Sequence, residues 1–324
     1  MIGNTATAVY VDTVETDSAE GRNLLCAEGF VVRSAVATTA AGVLEAAAGA
    51  DALLVGDSPV TAEVIAALAG RLRIISAITV GVDHIDLEAA RAAGIWVTNV
   101  PDATTEEVAV TALAMALSLV RHIPFLDRDV RAGGWDAFAT GRRRRPSRLT
   151  LGIIGLGRIG RHLAGLSTPI FGRVCAHDPA PATPWPGGVA RLELRDVLAE
   201  ADVVSLHLPA VPGEPPLIDA GAIARMRPGA FLVNVSRGAL VDTDALLAAL
   251  DDGRLGGAAL DVVAGEPPAG DAPVRRHPRV LLTPHAAFWS DDAEAASYAR
   301  QAANVVSWKR DGRPLTAVVE GVAR

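Results

Sequence analysis

A chain of 324 residues, half of them hydrophobic, is long enough for two domains with separate cores. Its formal net charge of −7 excludes general nucleic-acid binding, which needs a basic footprint. No uncharged apolar run reaches the roughly 18 residues of a membrane span.

The start, Met1-Ile-Gly-Asn-Thr5, has neither a basic n-region nor an apolar h-region, so no secretory signal is expected. Short apolar strands then alternate with alanine-rich helices, the pattern of a parallel-sheet α/β protein. Strands are expected at Ala8–Val11, Ala52–Val55, Ile74–Ser76 and Trp96–Thr98, and helices around Ala19–Glu28, Thr61–Ala69 and Leu87–Ala93, the last ended by Gly94. Cys26 and Cys175 read as buried free thiols in a reducing, cytoplasmic compartment. Asn99-Val-Pro101 breaks the alternation. A long apolar helix follows, about Thr104 to Arg121, with Thr104 and Glu107 suited to a capping box; it is expected to be deeply buried or part of a subunit interface. Arg142 to Arg145, with Arg148 nearby, reads as a solvated linker face or as an anion site for a phosphorylated ligand or a neighbouring subunit.

At Leu149 a nucleotide-binding unit begins. The apolar run up to Ile154 feeds into Gly155-x-Gly157-x-x-Gly160, and an amphipathic segment follows, with Pro169 shortening its helix. Gly155 permits the tight turn off the strand, Gly157 lets backbone approach a pyrophosphate, and Gly160 lets the helix pack on the sheet with its N–H groups aimed at phosphate. Asp178 ends a second apolar run 18 residues after Gly160, where an acid accepts hydrogen bonds from the adenosine ribose and repels a 2′-phosphate. Further strands are expected at Asp202–Leu208, Ala230–Val235, Gly257–Asp261 and Val280–Leu282, with a stiff loop at Pro209–Pro216 and a last helix from Asp291 to Arg310. This places a dinucleotide domain at 100–286 and a second, discontinuous domain at 1–99 and 287–324, with a ligand cleft between them.

Three reactive groups stand just past strands of the second half: Arg237, Glu266 and His285. Together they suit reduction of a ketone next to a carboxylate. The guanidinium would grip the carboxylate, the imidazole would protonate the developing alkoxide, and Glu266 would orient the imidazole and supply its counter-charge. There is no Gly-x-Ser-x-Gly, neither cysteine has a nucleophile's context, and the other histidines lack zinc-ligand spacing, so neither a hydrolase nor a metal is expected.

From about Leu72 to Arg313 the sequence resembles the D-2-hydroxyacid dehydrogenase family. The resemblance is carried by Gly81-Val-Asp-His-Ile-Asp86, Gly94-Ile-Trp-Val-Thr-Asn-Val-Pro101, Gly152–Gly160, His177-Asp-Pro179, Arg227–Gly238, Ala259-Leu-Asp-Val262 with Glu266-Pro267, and Thr283-Pro-His285. Arg73-Ile-Ile75, Glu106-Glu107 and Pro284-His-Ala-Ala287 are most similar to C-terminal-binding-protein-like members, which include NAD-dependent dehydrogenases and transcriptional corepressors. The resemblance implies a Rossmann NAD-binding domain with a discontinuous flavodoxin-like substrate domain, and a homodimer through the helix near Thr104–Arg121. It implies that Arg237 binds and polarises a 2-oxo acid, with His285 as acid/base and Glu266 as its partner. Val80 and Gly81 would offer backbone N–H groups to the substrate carboxylate. Arg158 and Ile159 would lie over the pyrophosphate, His207 to Pro209 with Val235 and Ser236 would line the NAD, and Asp261 would approach the nicotinamide amide. Phe288 and Trp289 would wall the substrate pocket. Val110 stands where many members carry glutamate, Asp102 where many have glycine, and Val80 where phosphite dehydrogenases have lysine. Alternative readings are an NADH-sensing corepressor-like interaction protein and a reductase of a phosphonate or phosphorylated 2-oxo acid.

Overall fold

Residues 6–15, 19–141, 143–180 and 184–322 are described by a computed structural model. In chain order the elements are β1 (Thr7–Asp12), α1 (Ala19–Ala27), β2 (Val31–Val36), α2 (Ala40–Ala46), β3 (Ala52–Val55), α3 (Ala62–Leu68), β4 (Ile74–Ala77), α4 (Leu87–Ala92), β5 (Trp96–Thr98), α5 (Thr105–Val120) and α6 (Ile123–Arg131). They continue with β6 (Thr150–Ile154), α7 (Arg158–Ser167), β7 (Arg173–His177), β8 (Val189–Arg191), α8 (Leu194–Glu200), β9 (Val203–Leu206), α9 (Ala220–Arg225) and β10 (Ala230–Asn234). The last are α10 (Thr243–Asp251), β11 (Leu255–Leu260), α11 (Pro273–Arg276), β12 (Val280–Leu282) and α12 (Asp291–Asp311). Side-chain oxygens set several helix starts: Thr39, Thr61, Asp86, Asp219, Asp242 and Ser290 each accept from a backbone N–H three residues on. Each such cap stabilises its helix by about 1 kcal/mol.

The chain divides into two compact units, Met1–Thr104 with Trp289–Arg324, and Thr105–Phe288. The first unit carries a parallel sheet in the order β2-β1-β3-β4-β5, a flavodoxin-like arrangement. Its strands sort their side chains by the period of two. Val9, Val11, Leu53, Val55 and Ile75 pack with α2 and α3 residues, while Ala8, Tyr10, Ala52, Leu54 and Ile74 pack with Leu25 of α1 and Val305 and Trp308 of α12. With both faces covered, β3 and β4 are buried at every position. Beyond α12 the chain returns to the sheet, where Val97 and Val319 exchange backbone hydrogen bonds of 3.1 Å.

Helix α2, strand β2 and the exposure of Cys26 depart from the sequence reading. Strand β2 was not expected, because it is an edge strand whose Val31 and Val36 are exposed and which has no clean apolar alternation. Cys26 is exposed, not buried: α1 buries only the face bearing Gly21 and Leu25, and Cys26 lies off it. Cys175, in central strand β7, is buried, and burial pushes its thiol up to about 11.

The second unit has a seven-stranded parallel sheet in the order β12-β11-β10-β9-β6-β7-β8. Numbered from β6, this is the Rossmann order 3-2-1-4-5-6 with one more strand, and the strand order reverses between β6 and β9. Leu151 and Ile153 of β6 face α5 and α7, while Ile154 faces α8 and α9. Gly152 is obligatory on that second face, since a Cβ there would fall 2.7 Å from Val197 and 2.8 Å from Ala201. Helix α7 stops at Ser167, before Pro169. The apolar helix α5 is an internal element, burying Val108, Ala109, Ala112, Met115, Ala116, Leu119 and Val120. The chain then turns through His122, whose φ is +58°, into the unexpected α6. No single helix among the described residues is long and apolar enough to cross a membrane.

The boundaries between units fall at 104/105 and 288/289, a few residues beyond those read from the sequence. The first crossing is displaced because residue 100 still belongs to the first sheet's edge, its N–H donating to the Thr79 carbonyl at 3.1 Å. The second is displaced because residues 286 and 287 are bonded to Asp261 in the second unit.

Candidate active site and cofactor cradle

At the switch between β6 and β9, Gly155 and Gly160 answer steric demands that their spacing predicts. Gly155 has φ +96°, and a Cβ on it would lie 2.6 Å from the His207 carbonyl group. A Cβ on Gly160 would lie 2.1 Å from the Gly155 oxygen, so α7 approaches the loop only because position 160 is bare. Gly157, the residue before α7, faces open space, which leaves backbone accessible to a pyrophosphate at a helix N-terminus. Asp178 buttresses this loop: its Oδ2 accepts from Leu156 N at 2.6 Å and its Oδ1 from Ala180 N at 2.8 Å. Each oxygen keeps a lone pair for a ribose hydroxyl, and the residue is only partly buried. The cradle therefore fits NAD. Arg158 begins α7 and is exposed, while half-buried Ile159 packs into the core beneath.

Past β9, burial pushes the His207 imidazole down to about 4, so the ring is neutral at ordinary pH. Its Nε2 shares a 2.8 Å hydrogen bond with Ser205 Oγ. Pro209 is exposed and Val235 buried. The Ser236 hydroxyl donates to the Leu208 carbonyl, which ties the ends of β9 and β10 together.

Strands β10, β11 and β12 are successive parallel neighbours, so their carboxyl ends share one edge. That edge carries Arg237, Glu266 and His285 in adjacent turns. Asn234, fully buried at the end of β10, clamps the first turn: its Nδ2 donates to the Arg237 carbonyl at 2.9 Å and its Oδ1 accepts from Ser236 N at 3.1 Å. Arg237 itself donates from Nη1 to the Ser236 carbonyl at 2.8 Å. Gly238 brings the next turn close, since a Cβ on it would lie 2.0 Å from the Val263 carbonyl carbon. Val263 N in turn donates to Glu266 Oε1 at 2.7 Å, and Glu266 Oε2 meets His285 Nδ1 at 2.7 Å. The ring orientation is thus fixed through Nδ1, and Nε2 lies outside that bond. Side-chain exposures of 47% for His285 and 32% for Glu266 keep that atom reachable.

Asp261 was expected to approach the nicotinamide amide. It is 2% exposed and fastens the His285 turn. Its carboxylate accepts from Thr283 Oγ1 at 2.6 Å, Ala286 N at 2.9 Å and Ala287 N at 3.0 Å, and its own carbonyl accepts from His285 N at 2.8 Å. This matters because His285 has φ +54°, a left-handed backbone that costs a non-glycine residue about 1 kcal/mol or more. The Asp261 network holds it there. Phe288 stands edge-on to the His285 ring, centroids 6.3 Å apart and half exposed, and Trp289 is exposed. Val80 and Gly81 lie in the turn that follows β4 of the first unit. Asn234, Gly238 and Asn99, all structural partners of these turns, were not singled out from sequence. A buried asparagine closing an apolar strand was the available signal for Asn234.

Of the arginine run, Arg142 lies outside the described residues. Arg144 donates to Asp202 Oδ1 at 2.6 Å and to the Arg148 carbonyl at 2.7 Å, and Arg143 donates to the Ala137 carbonyl. Asp202 is buried and also accepts from Thr150 N, so Arg144 has a structural anion as its partner.

Residues 113–287 match the sequence pattern described as D-isomer specific 2-hydroxyacid dehydrogenase, NAD binding domain. The chain belongs to this family. The glyoxylate reductase of Korarchaeum cryptofilum is 35% identical over 278 residues, covering 82% of this chain and 81% of that protein. The D-3-phosphoglycerate dehydrogenase of Synechocystis sp. is 36% identical over 249 residues, 75% of this chain; the match spans 44% of that longer protein. A crystal structure of the Aquifex aeolicus D-lactate dehydrogenase, complexed with NAD and lactic acid, superposes with a TM-score of 0.82 at 27% identity, covering 95% of this chain and 98% of that one. As a member of the D-isomer specific 2-hydroxyacid dehydrogenase family, the chain has NAD as its cofactor. These relatives lend no support to a particular closeness to C-terminal-binding-protein-like members.

Proposed function

We propose that this protein interconverts a 2-oxo acid and a D-2-hydroxy acid. The observation that carries the reading is the Glu266–His285 pair, 2.7 Å apart, on the same sheet edge as Arg237. Bound NADH would supply the hydride. Arg237 grips the substrate carboxylate and polarises the 2-oxo group beside it. His285 Nε2 gives its proton to the oxygen as charge develops there, and Glu266 holds the ring and balances the imidazolium across each cycle. In the reverse direction the same nitrogen takes the hydroxyl proton. The backbone N–H groups of Val80 and Gly81 donate to the substrate carboxylate, and Phe288 and Trp289 favour an apolar or aromatic tail.

Asp178 selects NAD, because a 2′-phosphate beside its carboxylate is repelled. A phosphorylated substrate gains no support from the arginine run, whose Arg144 is already paired with Asp202. A purely NADH-sensing role leaves the anchored Glu266–His285 pair without a purpose.

The test is the NADH absorbance trace with glyoxylate, pyruvate, hydroxypyruvate and longer or aromatic 2-oxo acids, run in parallel with NADPH. Turnover of unphosphorylated acids with NADH is expected. Binding of NADH without turnover of any of them would favour the sensor, and equal use of NADPH would remove Asp178 as selector. The partner most favoured is a second copy of the chain. Trp135 and Phe138, after α6, are 89% and 80% exposed, which supports an interface there rather than on the largely internal α5. A monomer in sedimentation would overturn the homodimer.

A further inference from the structure

Glu266 stands in a segment with few bonds of its own. From Ala264 to Asp271 the chain runs over the surface, with Pro268 alone half-buried. Among the described residues no backbone–backbone hydrogen bond ties this stretch to a strand; its one turn bond, from Ala272 N to the Ala269 carbonyl at 3.0 Å, is internal. The carboxylate at 266 nevertheless holds the His285 ring through a 2.7 Å contact. The tether comes from α11. Arg275 donates from Nε at 3.0 Å and from Nη2 at 2.8 Å to the Pro268 carbonyl, two groups of one planar fork closing on a single oxygen. Its guanidinium meets no carboxylate among the described residues, so this oxygen is what it is spent on.

The base of that tether is firm. Val274, the residue before Arg275, is 5% exposed within the core of the second unit, and Val280 N of β12 donates to the His277 carbonyl at 3.1 Å just past α11. The link from position 268 back to 266 is stiff as well. Pro267 and Pro268 each have φ held at about −65°, and a following proline narrows the backbone of Glu266 and of Pro267. Clamping the Pro268 oxygen therefore restricts where the Glu266 carboxylate can stand. Val263 N fixes Oε1 from the other side at 2.7 Å, which leaves Oε2 for His285 Nδ1. Packing does not demand an arginine here: α11 starts at Pro273 and is seated by Val274, while position 275 is exposed.

We infer that Arg275 is a positioning residue: by gripping the Pro268 carbonyl it keeps the Glu266 carboxylate in register with His285. This rests on the 2-oxo acid reading above. Without the grip the exposed segment swings, the Glu266–His285 bond is made for a smaller share of the time, and the imidazole is aligned less often when the proton is passed. The loss falls on the chemical step, not on the coenzyme or on the carboxylate held by Arg237.

The experiment uses the full chain and a double-mutant cycle of Arg275→Ala with Glu266→Ala, with Arg275→Lys alongside. The readout is the single-turnover rate of NADH oxidation at saturating concentration of the best 2-oxo acid, which isolates chemistry from binding and release. Arg275→Ala is expected to slow it about tenfold, the rate equivalent of one lost hydrogen bond to a charged group. KM and the Kd for NADH stay near wild type. Arg275→Lys, which keeps the charge but not the fork, loses less. In the Glu266→Ala background the same Arg275→Ala change costs nothing further, because the group it acts through is gone. An equal loss in both backgrounds would overturn the inference, since a merely structural role carries over unchanged. A wild-type rate for Arg275→Ala would overturn it too, as would a parallel decline of NADH affinity. If Arg275→Ala does not fold, Arg275→Lys takes its place in the cycle, with the same pattern at smaller size and the same outcomes against it. Wild type that binds NADH but turns over no 2-oxo acid would sink the functional reading and this inference together. Wild-type turnover with an indifferent Arg275→Ala would sink only the latter.

Discussion

The carboxyl edges of the two sheets differ in the chemistry they present. The seven-stranded edge presents side chains: Asp178 after β7, His207 after β9, then Arg237, Glu266 and His285 after β10, β11 and β12. The five-stranded edge presents backbone, the N–H groups after β4. The anchors differ accordingly. At the His285 turn one buried carboxylate, Asp261, collects three donors and holds a left-handed residue. At the Val80 turn a partly exposed amide, Asn99, donates to the Val80 carbonyl at 2.7 Å. One anchor is a buried anion that collects several donors, the other an amide that supplies one.

Substitutions sharpen that contrast, and the largest effect belongs to the side-chain edge. His285→Ala or Arg237→Ala should lower turnover by about 10²- to 10⁴-fold, the usual worth of a positioned acid/base group, while NADH fluorescence titration gives a near-normal Kd. Near-wild-type rates in both would dismiss the mechanism. Next comes the platform. Asp261→Ala strands buried donors at the turn and releases His285 from its left-handed backbone, at a cost of about 3 kcal/mol in unfolding free energy. Denaturant unfolding measures it, and kcat should fall more than KM rises; a wild-type midpoint would mean that the turn is held by something else.

This division explains what could be read from the chain. Gly155, Gly157 and Gly160 announce themselves because each answers a separate steric need at fixed spacing, and Arg237, Glu266 and His285 because reactive side chains follow apolar runs. The central strands of both sheets are equally plain, their faces being covered on both sides. The contacts of Asn99 are not legible in the sequence. Its hydrogen bond runs to Val80, its supports come from Asn304 and Thr316, and the contact with position 316 bridges 217 residues that no local pattern connects. For Asp261 the resemblance implies a cofactor contact; its hydrogen bonds under the His285 turn come from residues 283, 286 and 287, which no local pattern links to it. Strand β2 and helix α6 escaped for a simpler reason: one is an edge strand with exposed valines, and the other buries none of its residues.

The return of the chain to Val97 through Val319 has a bearing on biogenesis. During translation, Thr105–Phe288 can emerge and fold as a continuous segment, its seven strands all drawn from within it. The segment of β1 to β5 emerges earlier but reaches its finished state later, because α12 and the strand-like contact at Val319 are made only after Thr105–Phe288 has emerged. For that interval the Ile74 and Trp96 face of the early sheet lacks its cover, so the nascent chain exposes an apolar surface just when the coenzyme domain is already able to fold.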